Sequence, residues 1–244
     1  MVNLLIMAKN KIKIFYDGAN EKDIIDFKSN KVVSGFTTNP TLLKNSGVKI
    51  YPDFAIKIAK IVFPKPISFE VFSDEEHKIL IEAKKINEWG KNIFVKIPII
   101  NSKGRKLDKV ILKLLGEGVK CNVTAIYSFR QVKELVKKIK NVNTKIILSV
   151  FCGRIADTGR SPLKILKEFN ILKSKKYKNV DLLWASTREI LNIYEAENAG
   201  CDIITVSKDI LSKLKLKNKS LIKYSRETVS QFIKDAKSSG LKVF

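Results

Sequence analysis

Hydrophobic positions in this chain fall into two alternating kinds of segment. Short, β-rich apolar runs occur at Ile12–Asp17, Val32–Asn39, Ile67–Phe72, Ile93–Pro98, Val119–Ile126, Lys145–Phe151, Asp181–Ser186 and Asp202–Ser207. Between them lie segments with helical spacing. Asp74–Trp89 puts Ile79, Ala83 and Ile86 on one stripe and ends at Gly90. Lys106–Gly116 aligns Leu107, Val110, Ile111 and Leu114, and Phe129–Ile139, Thr187–Ala199 and Thr228–Ala236 repeat the pattern. The run Asn198-Ala199-Gly200-Cys201-Asp202 reads as helix end, glycine cap and next strand. Eight strands alternating with helices predict a parallel sheet. Eight such units in about 200 residues predict an α/β protein closed into a (β/α)8 TIM barrel. The competing architecture is an open, doubly wound sheet, which usually carries a glycine-rich turn after its first strand. That turn here is Asp17-Gly18-Ala19-Asn20, with neither a GxGxxG nor a Walker pattern. The expected organisation is an N-terminal extension over 1–10, one barrel domain over 11–222, and a C-terminal amphipathic helix over 223–244. That helix would pack on the barrel or on a neighbouring subunit. Regular pattern begins only after Lys11, which leaves Met1 and Met7 as alternative starts.

Composition narrows the chemistry. At 244 residues, with 45% hydrophobic and 29% charged positions, the chain is expected to be globular and to bury a sizeable core. No apolar run approaches the 18 or so residues of a membrane span, and Leu4–Met7 is too short for a signal-peptide core. The expected location is cytoplasmic, with no membrane partner. The single histidine, His77, sits among Asp74, Glu75 and Glu76. Zinc chemistry on two or three histidines is therefore excluded, and no metal is expected. A Ser-His-Asp triad would have to use His77, and nothing nearby supports that. Cys121, Cys152 and Cys201 form no CxxC pair and read as reduced, buried small hydrophobes. The formal charge is +23, yet only six of the 47 basic residues are arginine. Nucleic-acid surfaces concentrate arginine and interleave aromatics, whereas these lysines are spread along nearly every polar segment. The excess reads as a solvated lysine coat whose field attracts anionic substrates, not as a nucleic-acid surface.

Polar residues recur at one place, the carboxyl ends of the predicted strands: Asp17, Asn39, Glu70, Lys96, Asn122 with Thr124, Ser149 with Arg154 beyond it, and Ser186. Alternate strand residues share a face, so Asn122 and Thr124 point the same way, as do Ser149 and Phe151. Barrel enzymes place their active sites at this end. Lys96 interrupts the otherwise apolar run Ile93-Phe94-Val95-Lys96-Ile97-Pro98. A charged, unpaired lysine there is costly. Burial disfavours an ammonium, and a free amine can attack a carbonyl to form a Schiff base that then acts as an electron sink. The bland readings are an edge strand that lets Lys96 reach solvent, or a buried salt bridge to Glu70 or Asp17. The neighbouring Asp, Asn, Glu, Thr and Ser tilt the balance, because they supply polyol partners and carboxylates for proton transfer.

These segments resemble the transaldolase family. Gly35-Phe36-Thr37-Thr38-Asn39-Pro40-Thr41-Leu42-Leu43 is similar to its TTNP signature, and Phe94-Val95-Lys96-Ile97-Pro98 to its Schiff-base strand. Lys120–Ser128, Ser149–Ile155, Trp184–Arg188 and Ala199–Val206 resemble its fifth to eighth strands, so the likeness runs in order over residues 12–214. The resemblance implies a class I aldolase barrel acting on sugar phosphates, without cofactor, in pentose phosphate metabolism. It implies that Lys96 forms the imine, Asp17 is the acid/base, and Glu70 with Thr124 holds the catalytic water. Asn39, Asn122, Ser149, Phe151 and Thr37 would contact substrate, and Arg154, Ser186 and Arg188 would hold phosphate. Arginine forks suit phosphate oxygens, and barrel phosphate sites favour the loops after late strands. Transaldolases transfer a dihydroxyacetone unit, whereas fructose-6-phosphate aldolases release it. The aldolases typically carry Gln at the position of Glu70 and Tyr at that of Phe151, so this chain has the transaldolase pair. Its short length resembles the aldolase-like small subfamily, whose members form rings of five subunits, sometimes doubled. Val150 and Thr187 depart from the family's usual proline and phenylalanine.

Overall fold

The computed structural model describes residues 12–243. Eight parallel strands close into a barrel in chain order. They are β1 Lys13–Asp17, β2 Val33–Thr37, β3 Ile67–Glu70, β4 Ile93–Pro98, β5 Cys121–Ile126, β6 Ile146–Val150, β7 Val180–Trp184 and β8 Ile203–Val206. β8 closes on β1 with Lys13 opposite Ile203 and Tyr16 opposite Val206. All eight predicted strands are present, and the closed sheet settles the fold against the open, doubly wound alternative. Several strands are shorter than their apolar runs because the last residues leave the ladder to build loops. Asn39 turns out of β2 and accepts a hydrogen bond from Leu42 N at 2.9 Å, capping the next helix.

The helices that cover the sheet are α1 Glu21–Lys28, α2 Pro40–Asn45, α3 Tyr51–Val62, α4 Glu76–Asn87, α5 Asp108–Gly116, α6 Phe129–Ile139, α7 Cys152–Ala156, α8 Pro162–Lys167 and α9 Leu191–Asn198; α10 Lys208–Lys213 follows β8. Each longer helix buries one stripe. In α3 it is Ala55, Ile58, Ala59 and Val62, and in α4 it is Ile79, Ala83 and Ile86. Helix α4 starts at Glu76 rather than at the expected Asp74. The Asp74 carboxylate is engaged elsewhere, accepting from Ser102 N at 2.6 Å and Ser102 Oγ at 2.7 Å. Helix α9 starts at Leu191 rather than Thr187. Residues 187–190 form a turn in which Asn192 Oδ1 accepts from Arg188 N and Glu189 N, while Thr187 Oγ1 donates to Thr205 O.

Inside the cylinder the side chains stack in layers. Phe15, Ile147, Leu183 and Ile203 are buried together, with Phe94 packed against them. Gly35 leaves the room that the Phe15 ring uses, since a Cβ there would lie 2.6 Å from the ring. Two residues further along the same strands come Asp17, Ser149, Thr205 and Lys96. The apolar layer is therefore the floor on which the polar residues stand.

The described chain divides into two compact units, 12–210 and 211–243. The second contains α11, Leu221–Ser239, capped by Ser220 and ended by Gly240 in the left-handed conformation. No residue of α11 is buried, and Leu221, Ile222 and Phe232 are widely exposed. The expected extension over 1–10 lies outside the described residues. No helix among the described residues is long and apolar enough to cross a membrane.

Candidate active site

The carboxyl ends of the strands surround a cavity of about 420 Å³, within the size range of small-molecule sites. Eleven of the twelve residues singled out from sequence line it: Asp17, Thr37, Asn39, Glu70, Lys96, Asn122, Thr124, Ser149, Phe151, Arg154 and Ser186. Arg188 does not. Pro40, Thr41, Leu42, Ala125, Leu183, Ala185 and Thr205 complete the wall. Of these, Thr205 is a polar residue at the end of β8, and the rule that picked out the polar ends of the earlier strands also reaches it.

Lys96 is 7% exposed. Its Nζ lies 3.2 Å from Glu70 Oε2 and donates to the Thr38 carbonyl at 3.0 Å. The bland alternative of an edge strand is thereby removed, and the salt bridge to Glu70 is present. The parallel register sets that pair, because Glu70 stands opposite Lys96 across β3 and β4. Across the cavity, Thr37 Oγ1 donates to Asp17 Oδ1 at 2.7 Å. Burial pushes the Asp17 carboxyl above its usual range, while the Lys96 charge and the Thr37 hydrogen bond pull against that rise. A carboxyl poised in this way can exchange a proton more readily near neutral pH than a solvated aspartate.

A buried chain of hydrogen bonds fixes the opposite wall. Ser149 Oγ donates to Asn122 Oδ1 at 2.6 Å, and Asn122 Nδ2 donates to Ser68 Oγ at 3.0 Å. The amide of Asn122 is thus held from both ends. Thr124 Oγ1 is buried and makes no hydrogen bond within the described residues, so it is available to a bound polar group. Next to it, Ala125 adopts a left-handed φ of 56°, where the β5–β6 register shifts between Val123 and Ile126. A bulge of this kind re-aims side chains beside a site.

The far end of the cavity is built by α7 and the turn after β7. Gly153 permits a close approach there, since a Cβ would lie 1.5 Å from the Ser186 carbonyl oxygen. Ser186 itself has a left-handed φ of 64°, a conformation that persists only where its surroundings hold it. Arg154 lies over the Phe151 ring at 5.3 Å. Arg188 is engaged with Asp157, Nε donating to Oδ1 at 3.1 Å and Nη2 to Oδ2. The cysteines take no part, because burial pushes the thiols of Cys121 and Cys201 up to about 12 and that of Cys152 well above the usual value. His77 is an exposed residue of α4 beside Glu75. Among the described residues no cluster of His, Cys, Asp or Glu is arranged to hold a metal.

A closed (β/α)8 barrel with a buried lysine, two carboxylates and hydroxyl and amide side chains at the carboxyl ends of its strands has the layout of a barrel enzyme. Comparison with known proteins sharpens that class. Residues 14–243 match the family described as transaldolase/fructose-6-phosphate aldolase. A probable transaldolase of Lactiplantibacillus plantarum is 34% identical over 83% of this chain and 88% of that protein. One from Methanococcus vannielii is 31% identical over 83% of this chain and 89% of its own length. Among solved structures, 3-hexulose-6-phosphate synthase from Salmonella typhimurium superposes with a TM-score of 0.56 at 13% identity, covering 83% of this chain and 91% of that one. That likeness speaks for the barrel alone. The chain belongs to the transaldolase/fructose-6-phosphate aldolase family, whose chemistry is aldolase-type transfer or cleavage.

Proposed function

We propose that this protein is a transaldolase, moving a dihydroxyacetone unit between sugar phosphates through an imine on Lys96. The observation that carries the proposal is the buried ammonium of Lys96, 3.2 Å from Glu70 at the floor of a polar cavity. A lysine in that position has a proton acceptor beside it and little competing water.

In this reading the phosphate of a ketose phosphate lies toward Arg154, Ser186 and Arg188. Lys96 gives a proton to Glu70, 3.2 Å away, and adds to the ketone. Loss of water leaves a protonated imine. Asp17 then takes the proton of the hydroxyl on the far carbon of the bond to be broken, the carbon β to the imine carbon. The carbon–carbon bond opens, its electron pair enters the imine to make an enamine, and an aldose phosphate departs. The three-carbon unit stays on Lys96 until an acceptor aldehyde is attacked by the reverse sequence. Glu70 and Thr124 hold the water of imine formation and hydrolysis, a role to which the free Thr124 hydroxyl lends support. Asn39, Asn122, Ser149 and Thr37 bind hydroxyl groups, and Phe151 closes the wall. The Glu70–Phe151 pair favours transfer over release. Cytoplasmic location, assembly into a ring and a structural role for α11 in that ring belong to the same proposal.

The test is to follow fructose 6-phosphate with and without erythrose 4-phosphate, and to trap the adduct with borohydride. Strict dependence on the acceptor and a dihydroxyacetone adduct on Lys96 are expected. Free dihydroxyacetone without acceptor would make the protein an aldolase. Absence of an adduct at Lys96 would overturn the imine.

A further inference from the structure

We propose that Asp157 sets the preference of this site for phosphorylated over unphosphorylated substrates by occupying the guanidinium of Arg188 that a phosphate would otherwise use. The inference rests on the reading of Arg154, Ser186 and Arg188 as the phosphate end of the cavity.

Three observations point to it. First, the two basic residues are not equivalent: Arg154 lines the cavity and Arg188 does not. Second, what holds Arg188 aside is a two-pronged contact, with Nε on Asp157 Oδ1 at 3.1 Å and Nη2 on Oδ2. Those are the N–H groups with which an arginine would grip two phosphate oxygens side-on. Third, Asp157 caps α7, the short helix that carries Arg154 three residues earlier, so the carboxylate lies in the field of both guanidinium groups. The hydrogen bond from Arg188 holds the Asp157 carboxyl below the usual carboxylate range, and the charge of Arg154 adds to the effect. The acid is thus ionised throughout the range in which an enzyme is assayed. It acts as a resident anion between two cations.

The contact is built to be exchanged. Its side chains are 50% and 51% exposed, and an arginine–carboxylate pair in water is weak. A phosphate dianion offers more charge and a third oxygen, so it displaces the carboxylate, at a cost that falls on phosphorylated substrates alone. Neutral sugars, which have no use for Arg188, bear none of it. Asp157 therefore acts on binding and on selectivity, not on the bond that breaks.

The experiment compares wild type with Asp157→Asn and Asp157→Ala. Inorganic phosphate binding is measured by calorimetry, and steady-state kinetics use fructose 6-phosphate as donor with either erythrose 4-phosphate or unphosphorylated glyceraldehyde as acceptor. The expected result is about threefold to tenfold tighter phosphate binding, matched by a fall in KM for the phosphorylated acceptor. KM for glyceraldehyde and kcat should move less than twofold. Weaker phosphate binding in the variants would mean that Asp157 orients Arg188 instead of competing for it, and would overturn the proposal. Unchanged phosphate binding would overturn it too, by removing Arg188 from the phosphate site. Equal changes with both acceptors would reduce Asp157 to a structural role. The calorimetry needs no turnover, so a failure of imine chemistry at Lys96 is read separately.

Discussion

Removing the ammonium of Lys96 is expected to cost stability as well as chemistry, and the size of that cost follows from the geometry. Lys96→Met keeps an unbranched side chain of similar length. It takes away the charge 3.2 Å from Glu70 Oε2 and the donor to the Thr38 carbonyl. The two side chains are 9% and 15% exposed, so water is a poor substitute for the lost partner. Breaking a buried ion pair from one side costs about 3–5 kcal/mol. Glu70 faces the cavity, which places the cost near the lower end, about 3 kcal/mol. In a domain of this size each kcal/mol moves Tm by about 2–4 °C, so Lys96→Met should melt roughly 6–12 °C below wild type. Glu70→Gln should show a similar loss, for it strands the ammonium. The double variant leaves neither charge alone and should melt above both single variants, a coupling that a double-mutant cycle reads directly. Thermal unfolding by circular dichroism is the assay, with borohydride trapping in parallel to show that both Lys96→Met proteins have lost the adduct. Single variants that melt with wild type, or losses that simply add in the double variant, would refute the argument that the pair exists as a buried, mutually dependent unit.

Three further outcomes are expected. Thr37→Val removes the hydroxyl that favours the ionised form of Asp17 at 2.7 Å, so the already raised carboxyl titrates higher still. Activity that needs the carboxylate is then lost at a higher pH on the acid side, and an unmoved acid limb of kcat/KM would contradict this. Gly153→Ala drives a methyl to 1.5 Å from the Ser186 carbonyl, forcing the turn between Arg154 and Ser186 apart. It should cost about 3 kcal/mol or more in urea unfolding and weaken sugar-phosphate binding, and a variant with wild-type stability would disprove the close approach. Glu82 accepts from Phe72 N at 2.8 Å, Ser73 N at 2.9 Å and Ser73 Oγ at 2.5 Å, pinning the loop that follows Glu70. Burial raises its carboxyl, but these bonds outweigh that and leave it depressed, so it stabilises the fold above the usual carboxylate range and less as pH falls through its titration. Glu82→Gln should lose about 1 kcal/mol at neutral pH, with the gap to wild type narrowing in acid when Tm is followed against pH.

The site was legible in the sequence to the extent that its residues interrupt a pattern. Lys96 in an apolar strand, Asn122 and Thr124 on one face of β5, and the polar ends of β1, β3 and β6 all break an otherwise hydrophobic run. Such breaks show wherever the expected residue is apolar. Thr205 near the end of β8 is a weaker break of the same kind, because threonine is at home in a strand. Helix α1 was silent for a related reason: it buries only Ile24, too little to print a stripe. Thr41 and Leu42 line the cavity from the first turn of α2, which Asn39 caps.

From the sequence alone came the alternation of strands with helices, the barrel as the economical closure, and the end of the sheet where the chemistry gathers. These are written in local periodicity, which a chain carries in one dimension. The tertiary structure decided what pairs with what. Glu70 meets Lys96 through strand register, and Ser68, Asn122 and Ser149 link three strands in one buried chain. Arg188 meets Asp157 across 31 residues of sequence, at the close approach that Gly153 allows. Such contacts are set by closure and by the few ångströms between backbones, and neither quantity leaves a periodic mark along the chain.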